Sequence, residues 1–437
     1  MSLSSELERV LEHIKQLESE MVTMQKELVR RPAIGPKSGG EGEKARADYL
    51  RTVLESWGLE VTEYRAADPN VPCGYRPNLV ARLKGKQNTL KDRTYDPECR
   101  TSGLDSVRRL AVGEVKPALW IMTHLDVVPA GPEKLWTHNP FEATVEEGKI
   151  YGRGTEDNQQ EMVASCFAVK TLLDLGISPA RDVYLMLVAD EETGSQFGID
   201  WLLQNHELCR PEDLVVVPDA GNADGTMMEI AEKSIAWVRF KVRGQQSHAS
   251  TPRVNAHRAG ANLLVRLDKT LHEKYAARDE LFTPPESTIE PTKKEPNVSN
   301  INTIPGEDVF YFDCRILPEY RLDDILADMR LVADEVMKEF ETEVDITTEQ
   351  LAQAAPATPA DAPVVRLLSQ SIREIYKKEP FVKGIGGGTV AAFFRRRGIP
   401  AVVWGKHAGR AHNPDEYCLV ANMVGNAAVY AHMMLTE

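Results

Sequence analysis

Ala118–Asp126, with the sequence ALWIMTHLD, is an apolar run that ends in a histidine and an aspartate two residues apart. Three further runs end alike: VYLMLVA before Asp190, Glu191 and Glu192, LVVVP before Asp219, and AVVWGKHAGRA before His412. Short apolar runs alternating with helical patterns, near Asn158–Leu175 and Phe197–Gln204, indicate a mainly parallel sheet covered by helices. In such a sheet the strands release their chains along one edge, where ligands bind. Groups up to about 290 residues apart would therefore meet. Taken singly, an acidic residue after a strand reads as a helix cap or a turn. Four runs ending together in histidines and carboxylates make a candidate metal site.

Mixed histidine and carboxylate shells suit hard or borderline divalent cations, and a shared carboxylate is the simplest way to hold two of them close together. Asp157, in the stretch YGRGTEDNQQ, is the candidate bridge, although it could also cap the helix that follows. His124 and Asp126 share one side of an extended segment, so that carboxylate can orient the imidazole. Glu191 and Glu192, being adjacent, would point apart. One can then bind metal while the other faces the attacking water, as a general base must.

The chain carries 437 residues, 52 Lys+Arg and 66 Asp+Glu, for a formal charge of −14. That length suggests two or three domains, and the acidic balance argues against nucleic acid or an anionic membrane as partner. With 42% hydrophobic and 27% charged residues, the composition is that of a globular protein. Six cysteines without a CxxC pair suggest neither a thiolate zinc site nor a disulfide framework. No signal peptide or membrane span is apparent, and the expected location is cytoplasmic.

Val10, Ile14, Leu17, Met21, Met24 and Leu28 form a narrow helical stripe, either a coiled coil or a first helix lying on its own domain. Lys84–Lys116 reads as an inserted loop. Beyond Glu232 the strands Ile235–Val242 and Asp308–Ile316, the helices Ala256–Lys274 and Leu322–Phe340, and a strand Glu343–Thr347 predict a small α+β unit with a one-faced sheet. Ala352–Pro363 reads as a linker. The expected boundaries are thus 1–231 and 351–437 for an interrupted α/β domain, and 232–350 for the insertion.

In order along the chain, THLDVVPAG, Trp136 with NPF, GKIYGRGTED, ADEETGS, VVVPDA, GQQSHAS, NVSNINTIPG, FDCRILP, GGGT and AHNPDEY resemble metallopeptidase family twenty. That family holds co-catalytic zinc aminoacylases, succinyl-diaminopimelate desuccinylases, acetylornithine deacetylases, dipeptidases and glutamate carboxypeptidases. The resemblance runs from about Asn78 onward. It implies a zinc-peptidase-like α/β domain interrupted by a ferredoxin-like lid and dimerisation domain, and a homodimer formed through that lid. It implies two Zn2+ per chain, with Co2+ or Mn2+ as substitutes. His124, Asp157 and Asp219 would hold one ion, and Asp157, Glu192 and His412 the other. Glu191 would be the general base and Asp126 would orient His124.

His248 resembles the lid histidine that steadies the oxyanion, though by itself it reads as a surface histidine. Asn302, Arg315, Gly387, Gly388 and Thr389 match positions that bind a substrate carboxylate; Arg315 could equally pair with Asp313 or Glu307. Arg395, Arg396 and Arg397 read as a solvated helix end, and His407 as structural or, alternatively, as a contact to a ligand or substrate. Gln159-Gln160 stands where many relatives have Lys-Gly, and Val-Ala-Ala follows GGGT where desuccinylases commonly have Ser-Asp. The expected activity is amide hydrolysis of an N-acyl amino acid or short peptide with a free carboxylate. A succinyl-diaminopimelate desuccinylase is the leading expectation and a di- or carboxypeptidase the alternative. A non-catalytic scaffold would have no use for the full ligand set.

Overall fold

The computed structural model describes residues 3–86 and 116–437, so most of the Lys84–Lys116 insertion lies outside the described residues. The first elements are α1 (Leu3–Gln16), α2 (Glu18–Val29), α3 (Lys44–Ser56), β1 (Glu60–Ala67), β2 (Tyr75–Leu83) and β3 (Leu119–His124). There follow β4 (Thr144–Glu146), β5 (Lys149–Tyr151), α4 (Gln160–Asp174), β6 (Val183–Val188), α5 (Ile199–Asn205), β7 (Leu214–Val217) and β8 (Met227–Glu232). Next come β9 (Ser234–Arg243), β10 (Ser247–His248), α6 (Ala256–Lys274), β11 (Thr288–Lys294), β12 (Thr303–Ile304), β13 (Glu307–Ile316), α7 (Leu322–Phe340) and β14 (Glu343–Ala352). The chain finishes with α8 (Pro363–Tyr376), β15 (Phe381–Ile385), α9 (Ala391–Arg395), β16 (Ala401–Val403), β17 (Tyr417–Leu419) and α10 (Val420–Leu435).

The large sheet has the order β1-β2-β6-β3-β7-β16-β8-β15. β6, β3, β7 and β16 run parallel at its centre, and β1 and β2 add an antiparallel edge. Every residue of β3, β6 and β7 is buried, the pattern of strands covered on both faces. Trp120 of β3 stacks on Tyr184 of β6 with ring centroids 4.1 Å apart, and its indole N–H donates to Asp213. The chain therefore leaves β3, β6, β7 and β16 along a common edge.

The N-terminal stripe is buried throughout. It spans two helices offset at Leu17, and these pack against α4 and α10. The stripe thus serves its own domain. α10 also packs on α8, so the last helix closes the layer over the first.

Two compact units emerge: residues 1–229, 358–382 and 393–437, and residues 230–357 with 383–392. In the second unit the antiparallel sheet β11-β13-β9-β14 packs one face on α6 and α7. Its core holds Phe240, Phe310 and Phe312 with Leu263, Leu267 and Met329. β11 gives little sequence signal, because Pro291 and two lysines interrupt the alternation that marks a strand.

Residues 383–392 join this unit, whereas the boundary expected at 351 assigns them to the α/β domain. The cause is hydrogen bonding: Gly384 N–H donates to the Leu281 carbonyl and Lys233 N–H to that of Ile385. The arginine run also departs from expectation at one position. Arg395 is buried and paired with Glu229 at 2.9 Å rather than solvated.

Candidate active site

The shared edge of the sheet delivers the ligand-type residues. His124 closes β3, Glu191 and Glu192 lie in a short 3-10 turn after β6, and Asp219 follows β7. Asp157 sits in the turn Thr155–Gln159 that leads into α4, and His412 in the segment between β16 and β17. His124 Nε2 lies 3.0 Å from Asp157 Oδ1 and 3.4 Å from Asp219 Oδ1. On the other side, His412 Nε2 lies 3.1 Å from Asp157 Oδ2 and 3.2 Å from Glu192 Oε2. Two three-residue donor sets result, His124/Asp157/Asp219 and Asp157/Glu192/His412, each with its donor atoms within 4.8 Å of one another. They share Asp157.

The turn carrying the glutamates differs from the extended segment expected. Asp190 is left-handed, at φ +62°, and reverses the chain so that Glu191 and Glu192 begin a new turn. Asp126 anchors that turn: its carboxylate accepts the N–H groups of Glu191 and Glu192, each at 3.0 Å. Asp126 also faces His124. The imidazole Nδ1 lies 3.0 Å from the Asp126 carbonyl oxygen, with the carboxylate further off at 3.6 Å.

Four residues absent from the sequence reading complete the frame. Asn158 accepts His124 N–H at 3.1 Å and donates to Asp219 at 3.3 Å, joining two ligands through one amide. Arg76 forms a two-point contact with Glu43, which in turn accepts Asp190 N–H at 3.2 Å. The buried Arg46 guanidinium donates to the carbonyls of Leu28, Arg31 and Leu125. It thereby ties the end of α2 to the residue between His124 and Asp126.

The family model described as peptidase family M20/M25/M40 matches residues 120–436, a span that contains every one of these ligand-type residues. The chain belongs to peptidase family M20. The M20 chain is 34% identical to an uncharacterized metallohydrolase of Methanococcus maripaludis over 96% of its own length and 100% of the relative's. It is 26% identical to a succinyl-diaminopimelate desuccinylase of Gluconobacter oxydans, covering 94% of this chain and 96% of that one. Among solved structures, a Staphylococcus aureus tripeptidase superposes with a TM-score of 0.70 at 19% identity, covering 95% and 97% of the two chains. This M20 chain is accordingly a metal-dependent hydrolase acting on C–N bonds, with the α/β fold of its family.

The donor set of the M20 site fits cations on electrostatic grounds. Three carboxylates and two histidines crowd together with Glu191 and Asp126 beside them, an arrangement that positive ions would relieve. Burial pushes the Glu191 carboxyl well above the usual carboxylate range, and the charges of Asp219, Glu192 and Asp126 add to it. His412 is pushed up to about 10 by its contacts with Asp157 and Glu192. For His124 burial opposes the charged ring, yet Asp126, Asp157 and Asp219 together hold it well above its ordinary value.

The other residues singled out from the sequence, His248, Asn302, Arg315, Gly387, Gly388 and Thr389, belong to the second compact unit. His248 is exposed, with Nδ1 2.7 Å from Ser250 Oγ. Arg315 resolves its two options in favour of Asp313, which it grips through Nε at 2.6 Å and Nη2 at 3.0 Å, while Nη1 donates to the Gly386 carbonyl. Thr389 donates through its hydroxyl to Glu232 at 2.5 Å. Asn302 is exposed, and its carbonyl accepts from Ala249 N–H. His407 lies with Nε2 3.1 Å from the carboxylate of the buried Glu161.

Proposed function

We propose that this M20 chain binds two zinc ions and hydrolyses the amide bond of an N-acyl amino acid or short peptide bearing a free carboxylate. The observation that carries the reading is the sharing of Asp157 by two complete donor sets. His124, Asp157 and Asp219 would hold one ion, and Asp157, Glu192 and His412 the other. Bound zinc lowers the pKa of water and polarises a carbonyl.

The protein's own groups do the rest. Glu191 takes the proton of the attacking water on its carboxylate and returns it to the departing amine nitrogen. Its burial suits that task, because a carboxylate whose pKa is raised accepts the proton of water more readily than an ordinary carboxylate. Asp126 keeps Glu191 and Glu192 in place through their N–H groups. From the second unit, His248 is the candidate donor to the developing oxyanion. Asn302, Arg315 and the Gly387-Gly388-Thr389 backbone are the candidate carboxylate contacts, with a homodimer formed through this unit.

Desuccinylation of succinyl-diaminopimelate is the first substrate to test, since six relatives of that name match this chain at 24–28% identity. Elemental analysis beside hydrolysis of N-succinyl, N-acetyl and dipeptide substrates, with and without zinc, tests the reading. About two metals per chain and chelator-sensitive release of one acyl class are expected. Metal-free protein that stays inactive after zinc is supplied overturns it.

A further inference from the structure

His412 is the most exposed of the ligand-type residues, with 52% of its side chain accessible. Its backbone is left-handed, at φ +63°, in a stretch without regular secondary structure. Packing and ladder hydrogen bonds therefore do little to fix it, although a metal ligand must be held to a few tenths of an ångström. The structure supplies another constraint. Glu156, the neighbour of Asp157, is buried and turns its carboxylate into the His412 segment. Oε1 accepts the N–H of Ala408, and Oε2 accepts those of Arg410 and Ala411.

The reverse connection comes from Glu416. Its carboxylate is buried and accepts the N–H groups of Gly154, Glu156 and Asp157 at 2.9, 2.9 and 3.2 Å, with the Arg153 guanidinium at 2.6 Å. Each of the two segments thus inserts one carboxylate into the other's backbone. Six N–H groups are satisfied by two side chains; Asp157 is itself one of the anchored residues, and His412 lies between the anchored Ala411 and Glu416. Hydrogen bonds from N–H to an ionised acceptor are about twice as strong as neutral ones. Within the same segment Gln160 adds a bond to the Lys406 carbonyl at 3.1 Å and Glu161 one to His407 at 3.1 Å.

We infer that Glu156 is a positioning residue that sets the distance from His412 to Asp157, and so selectively supports metal binding by the Asp157/Glu192/His412 set. The inference rests on the two-metal reading above. It assigns Glu156 no contact with metal or substrate. Glu156 acts through the Ala408, Arg410 and Ala411 amides. The His124/Asp157/Asp219 set is held separately, by β3, β7 and Asn158.

The test uses full-length wild type, Glu156→Ala and Glu156→Gln, stripped of metal and titrated with Co2+ against a competing chelator while the visible absorption is followed. Wild type should take up two equivalents. Glu156→Ala should bind one with wild-type affinity and the second about 10–100-fold more weakly, the usual cost of losing a residue that orients a ligand. Glu156→Gln keeps the volume and one acceptor oxygen, so it should weaken the second equivalent by a smaller factor; it also carries the test if the alanine variant does not fold. Phe240→Leu, which destabilises the other unit, should leave both equivalents unchanged. Two equivalents bound with wild-type affinity, or both weakened by one common factor, overturn the inference while leaving the two-metal reading intact. Fewer than two equivalents in wild type overturns both.

Discussion

Arg76→Met should be among the most damaging single substitutions in the catalytic unit. Its guanidinium and the carboxylates of Glu43, Asp68 and Asp190 are all no more than 1% exposed. Glu43 binds it at two points, and Asp190 and Asp68 lie 3.5 and 3.6 Å away. Removing one partner of a buried ion pair costs roughly 3–5 kcal/mol. Here one cation serves three carboxylates, which places the loss at about 5 kcal/mol. For a unit of this size that corresponds to a fall in thermal midpoint of about 8 °C.

The deficit should also depend on pH. Burial already holds the Glu43 carboxyl above its ordinary value and Arg76 opposes that rise, so without Arg76 the folded variant binds more protons at Glu43 than the unfolded chain and loses stability as pH rises. The gap to wild type should be widest at pH 8 and narrower at pH 5. Arg82→Met is the control: its pair with Asp182, at 2.8 Å, has side chains 16% and 24% exposed. It should cost about 1 kcal/mol or less. Thermal melts of both variants at the two pH values decide the matter. An Arg76→Met midpoint no lower than that of Arg82→Met, or a deficit equal at both pH values, refutes the reasoning.

Glu191→Gln should lower kcat about 10²–10⁴-fold, the usual contribution of a general base, while metal content by elemental analysis stays at the wild-type level. Dialysis against a strong chelator should abolish turnover, and zinc should restore it. At pH 7 zinc uptake by the stripped protein should release at least one proton, because His412 is pushed up to about 10 in the metal-free site and must lose a proton to bind metal. Calorimetry in buffers of different ionisation enthalpy reads that number, and release of none refutes the assignment of His412 as a ligand.

Three ligand-type residues, His124, Glu192 and Asp219, could be read from the sequence because topology carries them. Once β3, β6 and β7 are taken as parallel, the residues after them must share an edge, however far apart they stand in the chain, whereas Asp157 and His412 come from loops outside those strands. The groups that hold the ligands in place leave no such trace. Asp126 looks like a partner for His124 by spacing, yet its carboxylate accepts two backbone N–H groups from another turn. Nothing in the spacing of Glu156, Glu416, Arg76 or Arg46 marks what they bind, because their partners are main-chain atoms or residues far along the chain. Asn158 could have been noticed, since it adjoins the candidate bridge and an amide there can both donate and accept. The left-handed Asp190 carries no glycine to announce the turn.

Interleaving the chain's two ends in one unit governs the order in which the protein can be completed during synthesis. His412 emerges about 250 residues after Asp157, so at roughly 5–20 residues per second the ribosome holds a half-built ligand set for about 15–50 s. Throughout that interval the α4 surface awaiting α10 lacks its cover. The intervening unit has its own core and is finished earlier. A growing chain therefore passes through a stage with one finished body and one open body, and chaperone dependence should concentrate there.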